Sequence, residues 1–232
     1  MGLTHSPRIA TDGLVLCLDA GNVRSYPKSG TVWSDLSGNG NNGTLTNGPT
    51  FSNDNAGSIV FDGSNDSVLL GSATDLGINN PSGGFSISVF FRTSNADEKY
   101  LVDNWGGGNQ DISLRIDNYQ LEYYLRTSTG NQYWNGISRW GSFSSNAWTQ
   151  FVLTFESGQY IRGYINGTNV GNSNIGSPTG TFETNYPFYI GRRPVSTGYF
   201  GGNISQVSIY NRALSPNEIK QNYLATKGRF NL

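Results

Sequence analysis

The chain has 232 residues, with 31 glycines, 13% aromatic residues, 13% charged residues and a formal net charge of −1. That length suits one large domain with its own core, and the charged share is about half the usual one. The near-neutral balance leaves no electrostatic footprint for nucleic acid or an anionic membrane. No apolar run reaches the ~18 residues of a membrane span, and the single Cys17 excludes an internal disulfide.

Residues 1–12 read as an irregular N-terminal arm and 13–232 as one domain. The opening MGLTHSPRIATDG has no apolar stretch of the signal-peptide kind, which points to synthesis in a cytosol. Leu14 to Asp19 is a continuous apolar run, expected as a strand buried on both faces, with Cys17 as a small core residue. Ser25 to Ser34 reads as a loop, and the Gly/Asn run from Ser37 to Gly48 as tight turns. Ser58–Asp62 and Asp66–Leu70 flank Gly63-Ser64-Asn65, a hairpin signal. Ser72 to Gly84 is a loop.

Phe85, Ile87, Val89 and Phe91 alternate with Ser86, Ser88, Phe90 and Arg92, the clearest strand in the chain. Phe90 in the second set predicts that this face is also covered. Lys99 to Asn104 follows as a strand, and Trp105 then begins a glycine loop. Ile112, Leu114 and Ile116 turn at Asp117-Asn118 into Tyr119, Leu121, Tyr123 and Leu125 as a hairpin. Thr127 to Asn146 is a long polar segment bearing Tyr133, Trp134, Trp140 and Phe143. Phe151, Leu153 and Phe155 turn at Ser157-Gly158 into Tyr160–Ile165, where Ile161 and Ile165 face one way and Tyr160, Arg162 and Tyr164 the other. Asn166-Gly167 is a type I′ turn signal, and Pro187 to Gly191 is a short strand.

The last stretch reads as a strand, a turn and a capped helix. Ile204 is out of phase with Val207, which places a bulge between them. Ser215, Pro216 and Glu218 sit as a cap, a first helical residue and a capping-box partner, and Leu214 and Ile219 are spaced as a hydrophobic staple. Gly228 reads as the helix stop. Roughly a dozen strands at this spacing describe an all-β sandwich.

Three blocks carry a resemblance: Asp35 to Thr44 (DLSGNGNNGT), Ile59 to Asp66 (IVFDGSND) and the closing IYNRALSPNEI. Together they resemble the laminin-G-like, concanavalin A-like lectin and glucanase jelly-roll superfamily. The resemblance implies a two-sheet antiparallel jelly-roll β-sandwich with a short C-terminal α-helix. The wording from Thr11 through this first block also resembles copies found in structural proteins of marine bacteriophages. That implies a non-enzymatic protein of the virion surface, as a capsid decoration protein or a tail or fibre module. Its partners would be other virion proteins and host-surface glycans, with self-association open. The alternative is a soluble carbohydrate-binding lectin.

Glucanases of this superfamily set carboxylates at alternate positions of one strand, so that acid and nucleophile share a face. No strand here has that pattern. The only histidine, His5, lies in the arm, so a serine triad has no general base and the usual zinc ligand set is missing. An enzyme is therefore not expected. Glycan or partner recognition on such a sandwich needs aromatic platforms beside short polar groups, for which Trp105, Tyr133, Trp134, Trp140, Tyr160, Arg162 and Tyr164 are the candidates. The same aromatics could instead close the ends of the sandwich or fill a second covered face. Many modules of this family hold one calcium ion, and Asp19, Asn22, Asp35, Asn41, Asp62 and Asp66 are candidate oxygen donors for a structural calcium. Asp and Asn beside Gly are also what tight turns require, and the family's usual Asp-Glu pair is Ser205-Gln206 here.

Overall fold

The structure, a computed structural model, describes residues 8–80, 82–106, 111–128, 138–174, 180–182, 186–195 and 198–232. Its strands in chain order are β1 (Leu14–Asp19), β2 (Val32–Trp33), β3 (Gly43–Thr46), β4 (Thr50–Ser52), β5 (Ser58–Asp62), β6 (Ser67–Ser72), β7 (Phe85–Arg92) and β8 (Lys99–Asp103). Then come β9 (Asp111–Asp117), β10 (Gln120–Arg126), β11 (Ser138–Ser142), β12 (Thr149–Glu156), β13 (Tyr160–Ile165), β14 (Thr168–Asn174), β15 (Pro187–Ile190) and β16 (Gly201–Tyr210). One α-helix, α1 (Pro216–Thr226), follows them. Among the described residues no helix is long and apolar enough to cross a membrane.

The strands form two eight-stranded sheets. Sheet A runs β14-β13-β12-β7-β16-β5-β4, with β1 paired to the far half of β16; sheet B runs β11-β10-β9-β8-β15-β6-β3-β2. Alternation decides what each face shows. Phe85, Ile87, Val89 and Phe91 of β7 and Phe151, Leu153 and Phe155 of β12 point inward from sheet A. They meet Ile112, Leu114 and Ile116 of β9, Leu121, Tyr123 and Leu125 of β10, and Phe188 and Ile190 of β15. Burying each such side chain is worth roughly 1.5–3 kcal/mol, so this single core holds the two sheets face to face. The expected bulge is present: the β16 register shifts between Ile204 and Gln206.

The chain closes on the outer face of sheet A. Ser215 Oγ accepts the Glu218 N–H at 3.3 Å, and Glu218 Oε2 accepts the Ser215 N–H at 2.8 Å, completing the capping box with Pro216 in the first turn. Leu214 and Ile219 bury together against Val152, Tyr164 and Tyr210. Farther along, Phe230 stacks on Phe90 with ring centroids 4.6 Å apart, and Trp148 joins them. Phe90 is therefore covered, as its place on the second face of β7 predicted.

Several expectations need correction. Ser58–Asp62 and Ser67–Ser72 are not hairpin partners; β5 lies in sheet A and β6 in sheet B. Asp62 Oδ1 accepts the N–H groups of Ser64 and Asn65, closing the turn on a side chain, and the chain crosses between sheets there. The α-helix ends at Thr226 with Lys227 as its cap, beside Gly228 as expected, but the chain does not leave the outer face there. A 3-10 turn over Lys227–Phe230 continues the coil and brings Phe230 over Phe90, and Asn231 makes the left-handed stop at φ 56°. Stretches where no strand was expected hold the short strands β2, β3, β4 and β11. At two to five residues with glycine, serine and threonine, these carry no readable period of two.

The Gly/Asn run has a specific structural duty. It plugs the open edge of β1, which would otherwise expose unpaired backbone groups. Asp35 Oδ1 accepts the Cys17 N–H at 2.8 Å, Leu36 donates its N–H to Cys17 O at 2.8 Å, and Asn41 and Asn39 donate side-chain N–H groups to Val15 O and Leu14 O at 2.7 and 3.1 Å.

Candidate functional site

Because Ile112, Leu114 and Ile116 face the core, Ser113 and Arg115 must face outward from sheet B. Strand register then sets a row across the sheet from Tyr189 to Asp103 to Ser113, and a second from Tyr100 to Arg115 to Glu122. The outer face of sheet B is thus polar, and much of it is buried: Asp103 is 0% and Glu122 1% exposed. Buried charge is tolerated only when it is paired and hydrogen-bonded, and both conditions hold here.

Asp103 is the centre of the arrangement. Its carboxylate accepts the Trp105 N–H at 2.7 Å and the Ser113 hydroxyl, and Arg193 Nε lies 3.4 Å away. Burial outweighs these partners and pushes the Asp103 carboxyl up to about 6. Arg193 sits over two aromatic rings, its guanidinium carbon 4.3 Å from the Tyr100 centroid and 4.4 Å from that of Trp105. Arg192 stacks in the same way, at 4.6 Å from Tyr189 and 5.5 Å from Tyr199. Alongside, Arg115 bridges Glu122 at 2.8 Å and Glu98 at 3.2 Å, and the Tyr100 hydroxyl donates to Glu98. Burial, then this hydrogen bond, lifts the Tyr100 phenol to about 12.

Gly106 completes the rim. A Cβ at that position would stand 2.2 Å from the Tyr186 ring, so only glycine admits the ring, which is 40% exposed. The result is a rigid floor of mutually neutralised charge flanked by the partly exposed rings of Trp105 and Tyr186. The partly exposed Arg192, Arg193 and Glu98 suit hydroxyl ligands, and the rings suit the apolar faces of sugars.

The candidate residues from the sequence separate cleanly. Trp105 belongs to this site. Trp140 is interior: it is 8% exposed, and its ring packs on Tyr123 at 4.6 Å and over Gly163 and Gly171, which leave room for it. Tyr164 is 2% exposed because α1 and Leu214 cover that part of sheet A. Tyr160 is exposed at the start of β13, with the Arg162 guanidinium carbon 4.6 Å from its ring centroid. Tyr133 and Trp134 lie outside the described residues. Sequence reasoning missed Asp103, Arg193, Arg192, Tyr100, Tyr186 and Tyr189. The available signals were an aspartate ending an apolar strand and two arginines directly after Gly191.

The calcium donors do not form one cage. Asp19 is held by the Gly21 N–H at 2.9 Å and by Arg229 at 2.7 Å, while Asn22 accepts the Arg24 N–H at 3.0 Å. Asp35 is consumed by the β1 plug, with Ser37 and Asn41 donating to it. Asp62 and Asp66 organise their own turn, Asp66 accepting the Asp62 N–H at 3.0 Å. Among the described residues no three His, Cys, Asp or Glu side chains come together to hold a metal. Each of these side chains serves a turn or the β1 edge in the structure.

Comparison with known proteins places the chain. The family model for the concanavalin A-like lectin/glucanases superfamily matches residues 62–220, and the chain belongs to that superfamily. No curated protein matches it by sequence. Among solved structures, the binding domain of Paraclostridial Mosquitocidal Protein 1 is similar at TM-score 0.74 and 19% identity, covering 92% of this chain and 52% of that one. The receptor binding domain of botulinum neurotoxin C/D mosaic serotype is similar at TM-score 0.70 and 15% identity, covering 92% and 51%. Domain 4 of AbnA, a GH43 extracellular arabinanase from Geobacillus stearothermophilus solved in complex with arabinotriose, is similar at TM-score 0.68 and 18% identity, covering 91% and 98%. The chain spans about half the length of the two toxin binding domains. At these identities the likeness is one of fold.

Proposed function

We propose that the chain is a non-enzymatic glycan-binding module whose site is the outer face of sheet B around Trp105, Tyr186, Arg193 and Asp103. The observation that carries this reading is the Arg193 guanidinium, held over the rings of Tyr100 and Trp105 and tied to buried Asp103. It is a rigid polar surface beside exposed aromatic area, and rigidity lowers the entropy cost of binding. The acids of the floor support a binding role over hydrolysis. Asp103 is 0% and Glu122 1% exposed, so neither is placed to reach a sugar oxygen. The arabinotriose held by the similar arabinanase domain makes arabino-oligosaccharides the first probe. A glycan array on purified protein tests the proposal. It predicts a sub-millimolar hit that weakens at least tenfold in Trp105→Ala, and an array without such a hit contradicts it.

The finer reading places this module on a bacteriophage particle, as a capsid decoration or tail protein with other virion proteins as neighbours. The resemblance of the stretch from Thr11 through the β1 plug to phage structural proteins favours it. Mass spectrometry of purified particles decides: a fixed copy number per particle supports the virion reading, and absence from particles leaves the soluble lectin.

A further inference from the structure

On the outer side of sheet A, beyond the edge of α1, lies a cleft of about 380 Å³ between the end of β12, the start of β13 and the segment joining β16 to the helix. Its polar walls are Glu156, Gln159, Arg162, Arg212 and Glu218. Both walls are fixed. Ser86 Oγ donates to Arg212 O at 2.9 Å and accepts the Leu214 N–H at 2.8 Å, which pins the joining segment to β7. Opposite, Arg162 is held by Glu156 at 2.6 Å and by the Tyr160 ring.

The charges of the cleft cancel, since Arg162 pairs with Glu156 and Arg212 with Glu218. Yet the hydrogen-bonding capacity is not used up. Arg162 donates through Nη1 to Glu156 Oε2, leaving its Nε and Nη2 and the Glu156 Oε1 without a protein partner among the described residues. A guanidinium edge and a carboxylate oxygen side by side are a donor and an acceptor at the spacing of neighbouring hydroxyls. Tyr160, 38% exposed, offers ring surface next to them.

We propose that this cleft is a second saccharide subsite, for one neutral sugar ring, separate from the sheet B face. It rests on the glycan-binding reading only for the class of ligand. Glucose, galactose, mannose and arabinotriose at millimolar concentration, followed by backbone amide shifts in NMR, test it. With at least one of them, saturable shifts are expected at Gly158, Tyr160 to Arg162 and Ala213, at least tenfold weaker in Arg162→Gln and unchanged in Trp105→Ala. Tyr160→Ala, at an exposed position at the start of β13, gives the same loss should Arg162→Gln fold poorly. Silence of these amides with all four sugars overturns the proposal, as do shifts that persist in both cleft variants. Cleft shifts without any at Gly106 or Ser113 uphold it while removing the sheet B site, and the reverse pattern removes the cleft alone.

Discussion

On the outer side of sheet A, Phe90, Val152, Tyr164 and Tyr210 are shut beneath α1 and Phe230. On the outer side of sheet B, Asp103, Ser113, Arg115 and Glu122 form a floor whose charges are matched in place. One face has been made interior by adding a helix; the other has kept buried polarity that adds little to stability on its own. The contrast sets the face that secures the fold against the face that carries the proposed sheet B site. Substitutions at Phe90 and at Trp105 should therefore separate stability from binding at that site.

The largest effect is expected at the seal. Phe90→Ala removes the ring stacked on Phe230 and should cost about 3–5 kcal/mol, lowering Tm by roughly 10 °C in calorimetry while leaving sugar affinity intact below the transition. Next, Arg193→Leu strands buried Asp103 and should cost on the order of 3 kcal/mol at pH 8. The loss should shrink at pH 5, where Asp103 takes up a proton, and adding Asp103→Asn should restore most of it. Urea unfolding at the two pH values checks this. An unchanged Arg193→Leu would show that the pair is dispensable and blur the distinction between the faces.

Acid should act on the faces with opposite sign. The folded Asp103 carboxyl at about 6 holds its proton more tightly than at its ordinary 3.8. Its contribution to stability is therefore full below pH 4 and declines as pH rises toward 6. The Glu218 carboxyl is held down to about 2, first by Arg212 and also by the Ser215 N–H. Its contribution is full above about pH 4.5 and is lost as pH falls toward 2. Stability profiles of Asp103→Asn and Glu218→Gln against the parent should differ from it in these two separate windows. The smallest effect belongs to the cap itself: Ser215→Ala should cost about 1 kcal/mol, read from chemical unfolding.

Much of the scaffold was legible because long strands bury one face and announce it by alternation. The runs at Phe85–Arg92 and Phe151–Phe155, the capping box at Ser215 and the β16 bulge all follow from local chemistry. The short strands were not legible, since Val32–Trp33 or Thr50–Ser52 exists only because a neighbour supplies its partner. The site was harder still. Asp103 and Arg193 are 90 residues apart and meet only through the β8–β15 pairing, which no spacing in the chain encodes. For Trp140 and Tyr164 the sequence left binding and burial both open, because the glycines opposite Trp140 and the helix over Tyr164 are tertiary facts.

Isothermal titration of an array-selected oligosaccharide into the parent, Trp105→Ala and Phe90→Ala proteins tests the division most directly. The sheet B assignment predicts at least a tenfold loss of affinity in Trp105→Ala and none in folded Phe90→Ala. Parent-like binding by Trp105→Ala would contradict it.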